Sequence, residues 1–390
     1  MAKATAGSDA KGDCRVTAET ASDLHVEIAT KAQQLVEPGI RTVAETVLRR
    51  FGSPNVALKI EDTGALDYVL TARIETALRE SLSASCEPLT PAPPRACTRS
   101  DRPRRSRLYA PGNNPRLLVG IEVHGADCVL LDLEDSVPVP EKTAARILVK
   151  HLLSAVAFPN EVWVRINALG LGGEDDVAEV LQGRPHGICL PKAESPDDVK
   201  KLSALLANVE NQFGIEAGAT KIMPILETAR GVLHCEGVAA ADPRVVMVAF
   251  GAEDFTRDVG ARRSDRSLAF ARSRVVAGAA AAGVQSSDTV YSDLTNMAGL
   301  AEECAMAREL GFDGKGAINP RQLDTIHEAF SPSDEELAYA QRVVDAAAEA
   351  GRSGSGAVAL DGKMIDKPVL ERARRLIEYS AQLTTRGDAA

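Results

Sequence analysis

The sequence predicts a (β/α)8 barrel of the TIM type with a C-terminal lid extension, preceded by a small α+β domain. Three observations predict it: eight short β-type runs, helical stretches between most of them, and charged residues gathered where the runs end. The runs cover residues 107–110, 128–133, 162–166, 187–190, 222–226, 245–250, 287–291 and 314–318. Helical patterns fall between them, for example 197–209 after the fourth run and 268–282 after the sixth. Strand and helix alternating eight times implies parallel strands joined by crossover helices, and closure into a barrel. The alternative is a doubly wound open sheet. The absence of a GxGxxG run after the first strand counts against it.

At 390 residues the chain is too long for one ordinary domain and suits a barrel plus a small module. Residues 86–100, CEPLTPAPPRACTRS, hold four prolines and no periodicity, which marks a boundary. The chain therefore divides into a module at 1–85, a linker at 86–103, a barrel at 104–330 and a C-terminal helical or lid segment at 331–390. Within the module, Leu24, Val26 and Ile28 alternate as in a half-buried strand, and Val56, Leu58 and Ile60 do so again. Ile40, Val43, Val47, Leu48 and Phe51 share one helical face, as do Leu66, Val69, Leu70, Ile74 and Leu78. The basic run 99–107, beside the prolines, reads as a solvated linker.

Composition excludes several classes of function. A net charge of −10 removes the electrostatic footprint that a phosphate backbone demands. With aromatics at 4% and a single tryptophan, Trp163, stacking platforms for single strands are absent too, so no nucleic-acid partner is expected. No stretch approaches 18 apolar residues and the N-terminus has no continuous apolar core, so neither membrane insertion nor secretion is expected. Seven cysteines without CxxC or Cys/His ligand spacing fit unpaired thiols in a reducing cytoplasm.

In a barrel of this type chemistry sits at the C-terminal ends of the strands. Those ends read Asp132-Leu133-Glu134-Asp135, Arg165-Ile166-Asn167, Pro191-Lys192, Glu227-Thr228-Ala229-Arg230, Gly251-Ala252-Glu253-Asp254 and Tyr291-Ser292-Asp293. One charged strand end is an ordinary solvated loop; six on one rim, with both signs mixed, indicate a site. Carboxylates without His or Cys neighbours suit a hard cation such as magnesium, which takes oxygen ligands and keeps several waters. Glu227 and Asp254, at the ends of adjacent strands, form the natural pair, although either alone reads as an N-cap or surface acid. Arg165 offers a planar fork for a substrate carboxylate, or else an ion pair with Asp132 or Glu134. No histidine stands at a strand end beside a nucleophile, so a Ser-His-Asp hydrolase is not indicated. His124 and His151 fall in helical segments and read as packing or surface residues.

From Arg105-Ser106 onward the sequence resembles the citrate lyase beta subunit, within the wider family of citryl-, malyl- and citramalyl-CoA lyases. The motifs are LYAPGN (108–113), DLEDSV (132–137), VRIN (164–167), LPK (190–192), ILETARG (225–231), FGAEDF (250–255), DTVYSD (288–293), GFDGKGAINPRQ (311–322) and LDGKMIDKP (360–368). Residues 1–85 resemble the acyl carrier, or gamma, subunit of citrate lyase, through AGSDAKGD (6–13) and EDTGALDYVLTARIETAL (61–78). In that carrier a serine before the Gly-Asp pair holds a CoA-derived phosphopantetheine arm. Here the position is Lys11, so no covalent arm is expected, and Ser8 is out of register.

The resemblance implies a magnesium-dependent carbon–carbon lyase that cleaves a 3-hydroxyacyl thioester, citryl-CoA or citryl-carrier, to a 2-oxo acid such as oxaloacetate and an acetyl thioester. Malyl-CoA or citramalyl-CoA lyase is the nearest alternative, and a non-catalytic assembly subunit is one of another class. It implies further that Glu227 and Asp254 bind magnesium while Arg165 grips the substrate carboxylate. The backbone at Gly316 and Ala317 would line the acid pocket, and Tyr109 and Arg116 would contact the CoA portion. Asp366 would be the catalytic acid, contributed by a neighbouring subunit's lid. The implied partners are copies of this chain, in a trimer or its multiple, and a citrate lyase alpha-like subunit.

Overall fold

A computed structural model describes the chain except for residues 1, 32, 90, 91, 96, 97, 354–357 and 388–390. The N-terminal module is a four-stranded sheet in the order β1-β2-β4-β3, from β1 (Lys3–Ala6), β2 (Cys14–Thr20), β3 (His25–Ala29) and β4 (Val56–Asp62). Helices α1 (Gln33–Arg50) and α2 (Asp67–Leu82) pack on it. The strands at β3 and β4 and both helices follow the periodicity of the sequence. The strands β1 and β2 are additions to that reading. In β2 the inward positions are Cys14, Val16 and Ala18, all fully buried, and the small or polar residues between them mute the alternation. Helix α1 also begins earlier than the Pro38-Gly39 pair suggests. Pro38 is tolerated inside it because Gln34, whose carbonyl loses its donor, is exposed to water.

All eight β-type runs form strands: β5 (Ser106–Pro111), β6 (Cys128–Asp132), β7 (Glu161–Arg165), β8 (Gly187–Leu190), β9 (Lys221–Leu226), β10 (Met247–Phe250), β11 (Gln285–Val290) and β12 (Gly314–Ala317). They close into one barrel, with β12 beside β5 and β9 beside β10, and every neighbouring pair is parallel. Alternation along each strand sorts its residues. Leu130, Trp163, Cys189, Met223, Ile225, Met247 and Ala249 fill the interior with Tyr109. Leu108, Val129, Leu131, Val162, Val164, Ile188 and Val248 pack outward against the helices. Trp163 fits only because its neighbour on β8 is Gly187, where a Cβ would come within 2.1 Å of the indole ring.

The run 99–107 is not a solvated linker. Arg104 is fully buried, with Nε donating to Glu161 at 2.7 Å, and Arg105 Nε pairs with Asp127 at 2.9 Å. These cations neutralise carboxylates at the foot of the barrel, where side chains plug the interior. The described part of the Pro-rich linker has neither helix nor strand, yet it is pinned along the barrel. Arg95 donates to the carbonyls of Arg184 and Leu153.

Helix α2 lies between module and barrel. Tyr68, Val69 and Ala72 join the barrel's outer core, while Leu70, Ile74, Ala77 and Leu78 face the module's sheet. Among them Glu75 is fully buried. It accepts from Lys150 at 2.5 Å and His151 at 2.7 Å on the barrel helix Lys142–Ala155, and it pairs with Arg50 and Arg79 from the module. Lys150 and Arg79 also reach Glu179 of the barrel. His151 is thus an interface residue rather than general packing.

After the barrel, helix Asp334–Ser353, hairpin β13 (Val358–Leu360) and β14 (Lys363–Ile365), and helix Lys367–Gly387 form a separate small core around Ala340, Val343, Ile365 and Ala373. Of the C-terminal helical or lid segment expected at 331–390, residues 354–357 and 388–390 lie outside the described residues. Among the described residues no helix is long and apolar enough to cross a membrane.

Candidate active site

A cavity of about 410 Å³ opens at the C-terminal rim of the barrel. Its polar lining includes Arg107, Tyr109, Asp132, Arg165, Glu227 and Asp254. The interior alternation explains how these residues meet. Asp132 lies two residues beyond Leu130, Arg165 two beyond Trp163, and Glu227 two beyond Ile225. Each thus continues an inward-facing row, Asp132 and Arg165 as the last residues of their strands and Glu227 just past its own. Asp254 comes instead from the first turn of helix Ala252–Asp258, which follows β10 directly.

Glu227 is 2% exposed and its Oε1 accepts the Lys192 backbone N–H at 2.8 Å. Burial, and then the facing Asp254 carboxylate, push its carboxyl up to about 8. Gly251 makes the seat possible: a Cβ there would stand 2.7 Å from Glu227 Cβ and 2.8 Å from its Oε2. Asp254 is partly offset by Arg257, yet two facing acids are unfavourable beside each other and favourable around a divalent cation. Among the described residues no three His, Cys, Asp or Glu side chains converge on one point. A pair of carboxylates leaves most of a coordination shell to water and substrate, which is the habit of magnesium.

Arg165 is not a free fork. Its Nε and Nη2 hold Asp132 at 2.6 and 2.8 Å, and Nη1 reaches Glu134 at 3.0 Å. The ion pair read as the alternative is formed, and Nη1 also reaches Asp135 at 3.4 Å, so every nitrogen of the fork has a carboxylate partner. Glu134 is shared with Lys192, which follows β8. Tyr109 also departs from its expected place at the CoA portion. Its ring lies on the cavity floor between the guanidinium groups of Arg107 and Arg165, at 5.8 and 5.6 Å, because position 109 points inward on β5. Gly316 and Ala317 do not line the cavity. Ala317 faces the helix layer, Gly316 backs Val290 and Tyr109, and Ile318 takes the lining position. Arg116 is exposed just outside the mouth, next to the lining residue Leu117.

Asp366 is not part of its own chain's cavity lining. It precedes helix Lys367–Gly387 and caps it, accepting the Val369 N–H at 3.1 Å. Arg107 is the lining residue that the sequence reading passed over. Its Nε donates to Ser287 at 2.8 Å and its Nη2 to the Asp288 carbonyl at 3.1 Å. Position 107 shares its inward parity with Tyr109, which is the signal that would have found it.

Residues 105–320 match the family described as HpcH/HpaI aldolase/citrate lyase. The chain belongs to that family. Residues 1–81 match a second family, described as malonate decarboxylase delta subunit. The citrate lyase beta subunit of Haemophilus influenzae is 39% identical over 279 residues, covering 70% of this chain and 96% of that protein. Human mitochondrial citramalyl-CoA lyase is 34% identical over 301 residues, 72% of this chain and 86% of the relative. Among solved structures, Mycobacterium tuberculosis CitE in complex with magnesium, acetoacetate and coenzyme A is 33% identical. It superposes with a TM-score of 0.59 over 72% of this chain and 99% of its own. The citrate lyase beta subunit of the same organism, complexed with oxaloacetate and magnesium, is 30% identical with a TM-score of 0.51 over 60% and 99%.

Proposed function

We propose that the chain is a magnesium-dependent carbon–carbon lyase that cleaves a 3-hydroxyacyl thioester to a 2-oxo acid and an acyl thioester. The observation that carries this reading is the Glu227 and Asp254 pair at the cavity, beside a guanidinium, in the fold of relatives crystallised with magnesium and 2-oxo or 3-oxo acids. Magnesium, held by these two carboxylates, supplies a Lewis acid for the oxygens of the 2-oxo acid half when bound. Arg165, oriented by Asp132, meets the acid's carboxylate through Nη1, which exchanges Glu134 and Asp135 for it, and Arg107 adds positive potential from the floor. The aliphatic wall of Ile225, Val290 and Ile318, with Phe250, excludes water around the breaking bond. The 3-hydroxyl gives up its proton to a base as the carbon–carbon bond breaks, and a carboxylic acid poised over the resulting enolate carbon delivers the proton that completes cleavage. Asp366 fills that role from a neighbouring copy, so the active unit is a homo-oligomer.

The thioester is carried on free CoA. Lys11 stands at the carrier's serine position, and the Ser8 hydroxyl is engaged with Asp13 at 2.9 Å. The two families of relatives differ in the acid half, citryl against citramalyl. Incubating the protein with citryl-CoA, malyl-CoA and citramalyl-CoA, and identifying products by mass spectrometry, assigns it. Citryl-CoA cleaved fastest, to oxaloacetate and acetyl-CoA, is the expected result. Faster release of pyruvate from citramalyl-CoA favours the second reading, and no cleavage of any of the three overturns the lyase assignment.

A further inference from the structure

We infer that the N-terminal module is a fixed wall of the substrate mouth and that its Lys11 binds a phosphate of free CoA. This rests on the thioester reading above. The turn at 7–13 is anchored to the barrel's first strand-to-helix loop. Asp13 accepts from Arg73 Nε at 2.9 Å and Nη2 at 3.2 Å, and the same Nη2 donates to the Asn113 carbonyl at 3.2 Å. Asn113 is tied in turn to the second such loop, its side chain donating to Glu141 at 2.6 Å. Pro111 and Leu117, on either side of Asn113, line the cavity.

The anchoring leaves the module no freedom to travel as a carrier does. Tyr68 and Val69 lie in the barrel's core, and the buried carboxylate of Glu75 is bound to both bodies at once. A cavity of about 410 Å³ admits the acid half of a thioester but not a whole CoA. The phosphates of CoA must therefore lie outside, across the rim. The exposed side chains of Lys11, two residues before the anchored Asp13, and of Arg116, three residues after Asn113, have no hydrogen-bond or ion-pair partner among the described residues. Lys192 is engaged with Glu134, Arg257 with Asp254 and Arg263 with Glu253. In a chain of net charge −10, unpaired cations close in the chain to the anchored turn and to the loop that carries Pro111 and Leu117 favour an anionic handle there. The lysine that abolished a covalent arm thus serves the soluble form of the same cofactor.

The test is calorimetric binding of CoA and of pantetheine, which lacks the phosphates, to the full chain and to Lys11→Ala and Lys11→Glu. CoA affinity should fall about threefold in the first and roughly tenfold in the second, as for an exposed ion pair lost or reversed. Pantetheine affinity should not change, and the salt dependence of CoA binding should weaken. Equal CoA affinity in Lys11→Glu and wild type overturns the assignment of Lys11 and leaves the lyase reading standing. Equal losses for CoA and pantetheine overturn it too, because the effect would not be on phosphate. Wild-type protein that binds no CoA overturns the free-thioester reading itself.

Discussion

At the scale of single residues, the site rests on parity. Three of its polar groups, Asp132, Arg165 and Glu227, continue inward rows that begin with Leu130, Trp163 and Ile225. This is why the strand ends could be read from the sequence. Contacts between them could not. That Arg165 spends its Nε edge on Asp132, or that Tyr109 lies between two guanidinium groups, depends on which strands become neighbours in space. Gly251 shows the tightest constraint. Gly251→Ala would push its Cβ into Glu227. Since about an ångström of misplacement costs on the order of a hundredfold in rate, kcat/KM should fall about that far while the thermal melt barely moves. A variant with wild-type kcat/KM would show that the seat of Glu227 is not critical.

At the scale of elements, strands β6 to β10 were legible because each carries a compact apolar run buried on both faces, whereas β11, QSSDTV, and β12, GKGA, are buried without being apolar. The carrier-like module was half legible. Its strands β1 and β2 hide behind alanine, threonine and cysteine, and the periodicity of α2 shows that it is amphipathic without showing what covers its second face. That face carries Glu75, whose carboxyl burial alone would raise; His151, Lys150 and Arg79 hold it well below the usual carboxylate range. Removing the charge leaves Lys150, Arg79 and Arg50 uncompensated, so Glu75→Gln should cost roughly 3–5 kcal/mol. Chemical denaturation measures it, and a loss below about 1 kcal/mol would mean that the network is not a joint.

The pH dependence of the joint has a definite sign. His151, faced by Glu75, Lys150 and Arg50, is held below its ordinary value by burial. Its folded pKa is depressed, so the unfolded chain binds a proton first. Its contribution to stability is complete above about pH 6.5 and is lost as pH falls. His186, whose burial lowers it to about 4, and His327, also lowered by burial, act in the same direction. Melting temperature should decline from pH 8 to pH 5.5, and His151→Gln should flatten the slope by its share. An unchanged slope would place His151 outside the titration.

At the scale of the whole molecule, the barrel, the docked module and the C-terminal unit divide the work. Tyr379, in the second half of helix Lys367–Gly387, is half-buried close to Asp127 and Arg105 at the foot of the barrel. Asp366 is at the other end of that helix and takes no part in lining its own cavity. A motif placed Asp366 in the sequence reading, but no periodicity could say whose active site it serves. Shared sites predict complementation: once mixed oligomers are confirmed, Asp366→Asn combined with Glu227→Gln should regain activity well above either parent. Confirmed mixtures that stay inactive would confine Asp366 to another role.

The central claim, that a metal held by Glu227 and Asp254 drives thioester cleavage, is tested most directly by metal dependence. Cleavage of the preferred acyl-CoA is measured in magnesium and in excess EDTA, for wild type and for Glu227→Gln. Several kcal/mol of charge stabilisation correspond to a loss of about a thousandfold or more. The account predicts that loss in EDTA for the wild type, its reversal by added magnesium, and a Glu227→Gln variant that is folded and inactive in either condition. Full wild-type activity in EDTA, or a fully active Glu227→Gln, would contradict it.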